Sequence, residues 1–218
     1  WAVPVLASAM LIAGATTNQR PPPGGSAPLW WPDWRDAQTW QVGIILGGGS
    51  CIYFGANTFI PDYLHATGAE DMIGPCLTSL NVGQLPASFL VMGFPERVTG
   101  KKGPLVALSV VSLVGLGLML LPSPWARISG AGILGFAAAF GLILTLALPP
   151  MLAAASDVHR LSAGMFVIGY LTAFLVPLLG GIAWDATALP VTAFLPIVLG
   201  AAMVLAVAAR LRPHQLTA

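Results

Sequence analysis

An all-α membrane protein is the fold class that this sequence predicts, and three observations carry the prediction. Nine Lys or Arg and eight Asp or Glu among 218 residues make the chain only 8% charged, where soluble globular chains carry about 25%. The mean hydropathy is +0.83. Charge-free apolar runs recur at lengths near the roughly 20 helical residues that cross a hydrocarbon core of about 30 Å. No segment alternates with period two over the length of a barrel strand, which excludes a transmembrane β-barrel. A net charge of +1 leaves no basic stripe to track phosphates, so nucleic acid is not an expected partner.

The chain opens on an apolar run over residues 1–15 without the basic flank of a signal peptide. With Trp at position 1, residues 1–16 read as the tail of a truncated span whose start lies upstream. Residues 17–39 hold Pro21-Pro22-Pro23-Gly24-Gly25-Ser26 and then Trp30, Trp31 and Trp34, with Trp40 just beyond. Pro removes backbone donors and Gly adds chain entropy, so this stretch reads as a cytoplasmic linker returning to the membrane. Its indole rings suit the headgroup level. Six full spans follow, at 40–63, 72–94, 104–121, 128–155, 161–184 and 191–209, and residues 211–218 form a short tail.

Orientation follows from counting cations in the connections. With residues 17–39 on the cytoplasmic side, that side collects Arg20, Arg35, Arg97, Lys101, Lys102, Arg160, Arg210 and Arg212, and the other side only Arg127. This places the C-terminus in the cytoplasm. The acids divide evenly, as expected for residues that contribute little to the rule.

No ionisable side chain sits near the centre of a span; Asp62 comes closest. The chain therefore shows no proton relay or counter-ion of its own. Uncharged polar residues are the informative ones, because each must find a partner helix, a water-filled cavity or a solute. Tyr53 and Asn57 share a face of the first full span; Asn81, Gln84 and Ser88 share one in the second; Phe166, Tyr170 and Phe174 form a stripe on the fifth. Tyr53, Asn57, Asn81, Gln84 and Tyr170 are thus candidate substrate-binding residues, lining a cavity with amides and aromatic rings. The competing reading is helix glue, at about 0.6 kcal/mol per interhelical hydrogen bond. Cys51, Thr145 and His65 read as packing or loop residues, and His159 as part of a solvated turn.

Chemistry is sparse. Gly48-Gly49-Ser50 runs into Cys51, so the Ser-Gly step of an intramembrane serine protease is missing, and all three His fall in connections. The pattern of a metal site is absent, as is a phosphate-binding GxxxxGK[ST] loop. Neither catalysis nor a cofactor is expected.

Leu161-Ser162-Ala163-Gly164-Met165, continuing through Gly169-Tyr170, Ala173, Pro177, Gly180-Gly181 and Asp185-Ala186-Thr187, resembles the eleventh span and following loop of the cyanate permease-like branch of the major facilitator superfamily. It departs at Ala188-Leu189-Pro190, where that branch has G-x-W. Trp34-Arg35-Asp36 with Trp40-Gln41 is similar to the start of the branch's seventh span, and Tyr53, Pro61 and Tyr63 match its aromatic and proline positions. The stretch from Pro95 to Lys102 resembles the superfamily's cytoplasmic G-x-x-x-D-R-x-G-R-R loop, with Glu96 for Asp, Lys101 and Lys102 for Arg, and one extra residue before Gly100.

The resemblance implies that residues 40–210 are the six-helix C-terminal half of a twelve-helix bundle, built of inverted three-helix repeats at about 40–121 and 125–210. An N-terminal six-helix half of the same polypeptide is then the missing partner. It also implies a secondary transporter of the bacterial cytoplasmic membrane that moves a small polar or anionic solute by alternating access. Glu96, Arg97, Gly100, Lys101 and Lys102 would form its gating loop, with salt bridges holding one gate state. A non-transporting membrane scaffold is the alternative; an intramembrane enzyme is a more distant one.

Overall fold

A computed structural model describes Met10 and residues 31–210 of the chain. Apart from Met10, the expected span tail at 1–16, most of the linker and the 211–218 tail lie outside the described residues. The described residues hold nine α-helices, two short 3-10 turns and no strand: α1 (Ala37–Ala66), α2 (Ile73–Val82), α3 (Gln84–Gly93), α4 (Pro95–Val98), α5 (Lys102–Met119), α6 (Pro124–Leu146), α7 (Pro149–Leu152), α8 (Val158–Thr187) and α9 (Leu195–Arg210). Five helical segments are long and apolar enough to cross a membrane, counting α6 with α7 and α9 with the 3-10 turn before it. The protein is an all-α, multi-pass membrane protein.

The second sequence-predicted span, 72–94, is broken near its middle. It is two ten-residue helices that meet at Gly83. Pro86 explains the break. It has no N–H to offer the carbonyl of Val82 four residues earlier, and its ring crowds that carbonyl. The broken segment is seated on α6 so closely that a Cβ on Gly83 would overlap the carbonyl of Gly132.

The ends of α1 and α8 extend past their apolar runs. Asp36 caps α1 by accepting a hydrogen bond from the Gln38 N–H at 3.0 Å, satisfying a donor that the first helical turn leaves open. At its far end α1 runs to Ala66, and the chain turns through Gly68 at φ +68°. His159 lies in the first turn of α8 rather than in a loop.

The packing makes α1 and α6 the inner helices. α1 packs on α8, α9 and α6, while α6 packs on α5, α2 and α3. Of the apolar stretch of α1, 67% is buried, against 33% for α8, so α8 carries the largest unpartnered face of the five. The approach of α1 to α9 depends on Gly48 and Gly200, each of which leaves room for the other's backbone carbonyl. Two buried clusters form the core: Ile52, Ile60, Leu80, Leu134, Phe194 and Ile197 anchor one, and Ile45, Leu105, Leu108, Phe140, Leu161 and Val204 the other.

Candidate functional site

Along α1 the two clusters meet between Leu46 and Ile52, and a cavity of about 170 Å³ opens at that level. Its walls come from the middles of α1 and α8, from α6, and from the break between α2 and α3. Gly49, Ser50, Tyr53 and Phe54 face it from α1, Gln84 from the start of α3, Leu142 and Thr145 from α6, and Tyr170 from α8. Drug-sized ligands need about 300 Å³ or more, so the cavity accepts a small solute or one end of a larger one.

Three of the five residues singled out in the sequence, Tyr53, Gln84 and Tyr170, line this cavity. The other two do not. Asn57 folds back to donate Nδ2 to the Tyr53 carbonyl at 3.0 Å, and Asn81 donates Nδ2 to the Leu77 carbonyl at 2.8 Å. Asn81 nevertheless touches the site at one remove, because its Oδ1 accepts from Gln84 Nε2 at 3.2 Å. Thr145, read from sequence as packing, lines the cavity while donating its hydroxyl to the Gly141 carbonyl at 2.7 Å. Gly49 and Ser50 are cavity residues that the sequence reading misses. The signal that finds them is their place one turn before Tyr53, on the face it shares.

The aromatic walls are fixed by their neighbours. Tyr170 stacks on Phe166 at 5.8 Å between centroids and 12° between planes. Tyr53 meets Phe54 edge-on at 5.4 Å. Among the described residues, no charged side chain lines the cavity.

The loop before α5 has a defined geometry. Gly100 is buried at φ +67°, a left-handed conformation that a side chain strains. Thr99 closes the preceding turn, donating its hydroxyl to the Pro95 carbonyl at 2.6 Å. The Arg97 guanidinium lies 5.2 Å from the centre of the Phe94 ring, within reach of a cation–π interaction. Glu96, Arg97, Lys101 and Lys102 are exposed, and the ion pairs found among the described residues, His65 with Glu70 and Arg160 with Asp157, involve none of them. The salt bridges expected of this loop are thus not formed among the described residues.

The described residues thus form a bundle of helices long and apolar enough to cross a membrane, with a small, largely apolar cavity midway along them into which Ser50, Gln84, Thr145 and two tyrosines are set. No protein family and no solved structure matches the chain. Over 161 residues it is 28% identical to YycB of Bacillus subtilis (strain 168), an uncharacterized transporter, in an alignment that takes in 71% of this chain and 39% of the relative. The chain spans about two fifths of the length of that relative. Fold and similarity together make it a transporter-like, multi-pass membrane protein.

Proposed function

We propose that the chain is the C-terminal half of a secondary transporter of the cyanate permease-like branch of the major facilitator superfamily, moving a small polar or anionic solute by alternating access. The supporting observation is the cavity itself. Tyr53, Gln84 and Tyr170 come from three separate helices and converge midway along the bundle, where a polar side chain is costly unless it meets a partner or a solute. In this reading the N-terminal half closes the cavity from the unpartnered face of α8. An anionic solute would take its positive charge from that half, since the described residues of this wall carry none.

The protein sits in the bacterial cytoplasmic membrane with its C-terminus inside, as the distribution of cations favours. Glu96, Arg97, Lys101 and Lys102, carried by the turn at Gly100, then face the cytoplasm and form their salt bridges in one gate state, against the other half. Asn81 acts in this reading by holding Gln84 in place, and Asn57 lies one turn from Tyr53, bonded to its carbonyl.

Vesicles carrying the full-length protein provide the test. A panel of small amides, carboxylates and alcohols is screened for uptake, with Gln84→Met at equal expression beside the wild type. Uptake of at least one solute that falls tenfold or more in Gln84→Met supports the reading. No uptake of any solute, or uptake indifferent to Gln84, overturns it.

A further inference from the structure

The amide of Gln84 is turned in a direction that its hydrogen bonds determine. The Leu77 carbonyl can only accept, so the Asn81 atom 2.8 Å from it is the donor Nδ2. Asn81 therefore offers Gln84 its Oδ1, and an acceptor there requires Gln84 to approach with Nε2, at 3.2 Å. The same bond spans the break at Gly83, tying the last turn of α2 to the first residue of α3. Gln84 Oε1 is left over. Among the described residues none donates to it, and Gln84 lines the cavity whereas Asn81 does not.

The other polar groups of the wall do not oppose this preference. The Thr145 hydroxyl gives its proton to the Gly141 carbonyl and keeps only acceptor capacity, and the hydroxyls of Ser50, Tyr53 and Tyr170 rotate to donate or accept. With no charged side chain among the described lining residues, an ion pressed against this wall would lose its hydration without gaining a partner. The remaining surface is apolar, with the flat rings of Tyr53, Phe54 and Tyr170 set beside Leu46, Leu142 and two alanines, and Tyr170 stacked on Phe166.

We propose that this wall receives an uncharged, planar group bearing an N–H or O–H donor, that Gln84 Oε1 accepts its hydrogen bond, and that Asn81 is the positioning residue that keeps this acceptor available. The inference rests on reading the cavity as the solute site.

The test separates the two. Ser50→Cys is placed in the full-length protein with Cys51→Ala and Cys76→Ala, and its reaction with a water-soluble methanethiosulfonate is timed in membrane vesicles. Benzamide is the donor probe; methyl benzoate, with the same ring and only acceptors, is its match. The expected result is labelling slowed at least threefold by benzamide and unchanged by methyl benzoate. That protection is lost in Gln84→Met. It is weakened in Asn81→Leu and kept in Asn81→Asp, which still accepts from Gln84 Nε2, a rescue that a merely structural role would not give. Equal protection by both probes, protection by neither, or protection that survives Gln84→Met overturns the donor inference and leaves the cavity standing. Protection unchanged in Asn81→Leu at an unaltered melting temperature removes Asn81 from its role. A thiol introduced by Ser50→Cys that never reacts from water overturns the solute-site reading itself.

Discussion

Arg160, in the first turn of α8, donates its Nε to the carbonyl of Trp31 at 2.9 Å across 129 residues of sequence. Its Nη1 meets Asp157 at 3.3 Å, and among the described residues it is the only cation lining a cavity shared with Asp33, Asp36 and Asp157. The stretch of chain that leads into α1 is thereby strapped to the start of α8. Arg160→Gln is expected to lower stability by about 1 kcal/mol, read as a lower melting temperature in detergent, and to leave three neighbouring carboxylates without this counter-charge. An unchanged melting temperature would mean that Pro32 and Thr39, packed against Gly164, hold this segment alone.

Gly48 and Gly49 are neighbours on one helix with opposite surroundings. A Cβ on Gly48 would stand 2.6 Å from the Gly200 carbonyl oxygen, while one on Gly49 meets nothing within 4 Å. Gly48→Ala should therefore cost about 1–3 kcal/mol through forced separation of α1 from α9. Gly49→Ala should be neutral or stabilising by up to about 1 kcal/mol through helix propensity. Thermal melts of the two variants decide it; equal behaviour would refute the close contact.

Ala188 ends α8 at φ +55°, the only non-glycine residue among the described ones with positive φ. An L-residue in this conformation costs about 1 kcal/mol relative to Gly, so Ala188→Gly should raise stability by about that amount. A melting temperature that falls on this substitution would contradict the left-handed cap.

Two buried or half-buried serines test where hydroxyls matter. Ser79 Oγ donates across helices to the Ile128 carbonyl at 2.7 Å, whereas Ser112 Oγ donates within its own helix to Leu108 at 2.6 Å. Ser79→Ala should cost about 0.6 kcal/mol, the average for such bonds in membranes. Ser112→Ala removes a bond that joins no second helix, and its effect should be smaller. Unfolding in mixed micelles resolves the difference.

Much of the architecture was legible because lipid imposes a simple length rule: the apolar run at 161–184 marks the centre of α8, and that at 104–121 covers all but the first two residues of α5. Their polar ends were not legible, since Asp36 and Asp157 start helices that a hydropathy count begins several residues later. The interruption at Gly83 was foreshadowed by Pro86, but a proline in a membrane helix produces a bend as readily as a break, and the choice was made by α6 pressing Gly132 against Gly83. For the site, spacing placed Tyr53 and Asn57 on one face, yet only the first reaches the cavity. A side-chain amide next to its own helix carbonyls has a local partner available, and the direction it takes depends on rotamer, which periodicity does not encode.

The interrupted span has a consequence for how the protein is made. A ten-residue helix leaving the translocon is too short to bridge the bilayer alone, and the Val82 carbonyl, deprived of its donor by Pro86, is costly against bare lipid. The short helix gains a packing partner when Gly83 docks on Gly132, but α6 emerges only after α3, α4 and α5 have been made. The segment 73–93 is thus expected to wait at the exit of the insertion machinery until its partner arrives, so that a nascent chain arrested before Pro124 would expose residues 73–93 to alkaline extraction while one arrested after Leu146 would hold them firmly.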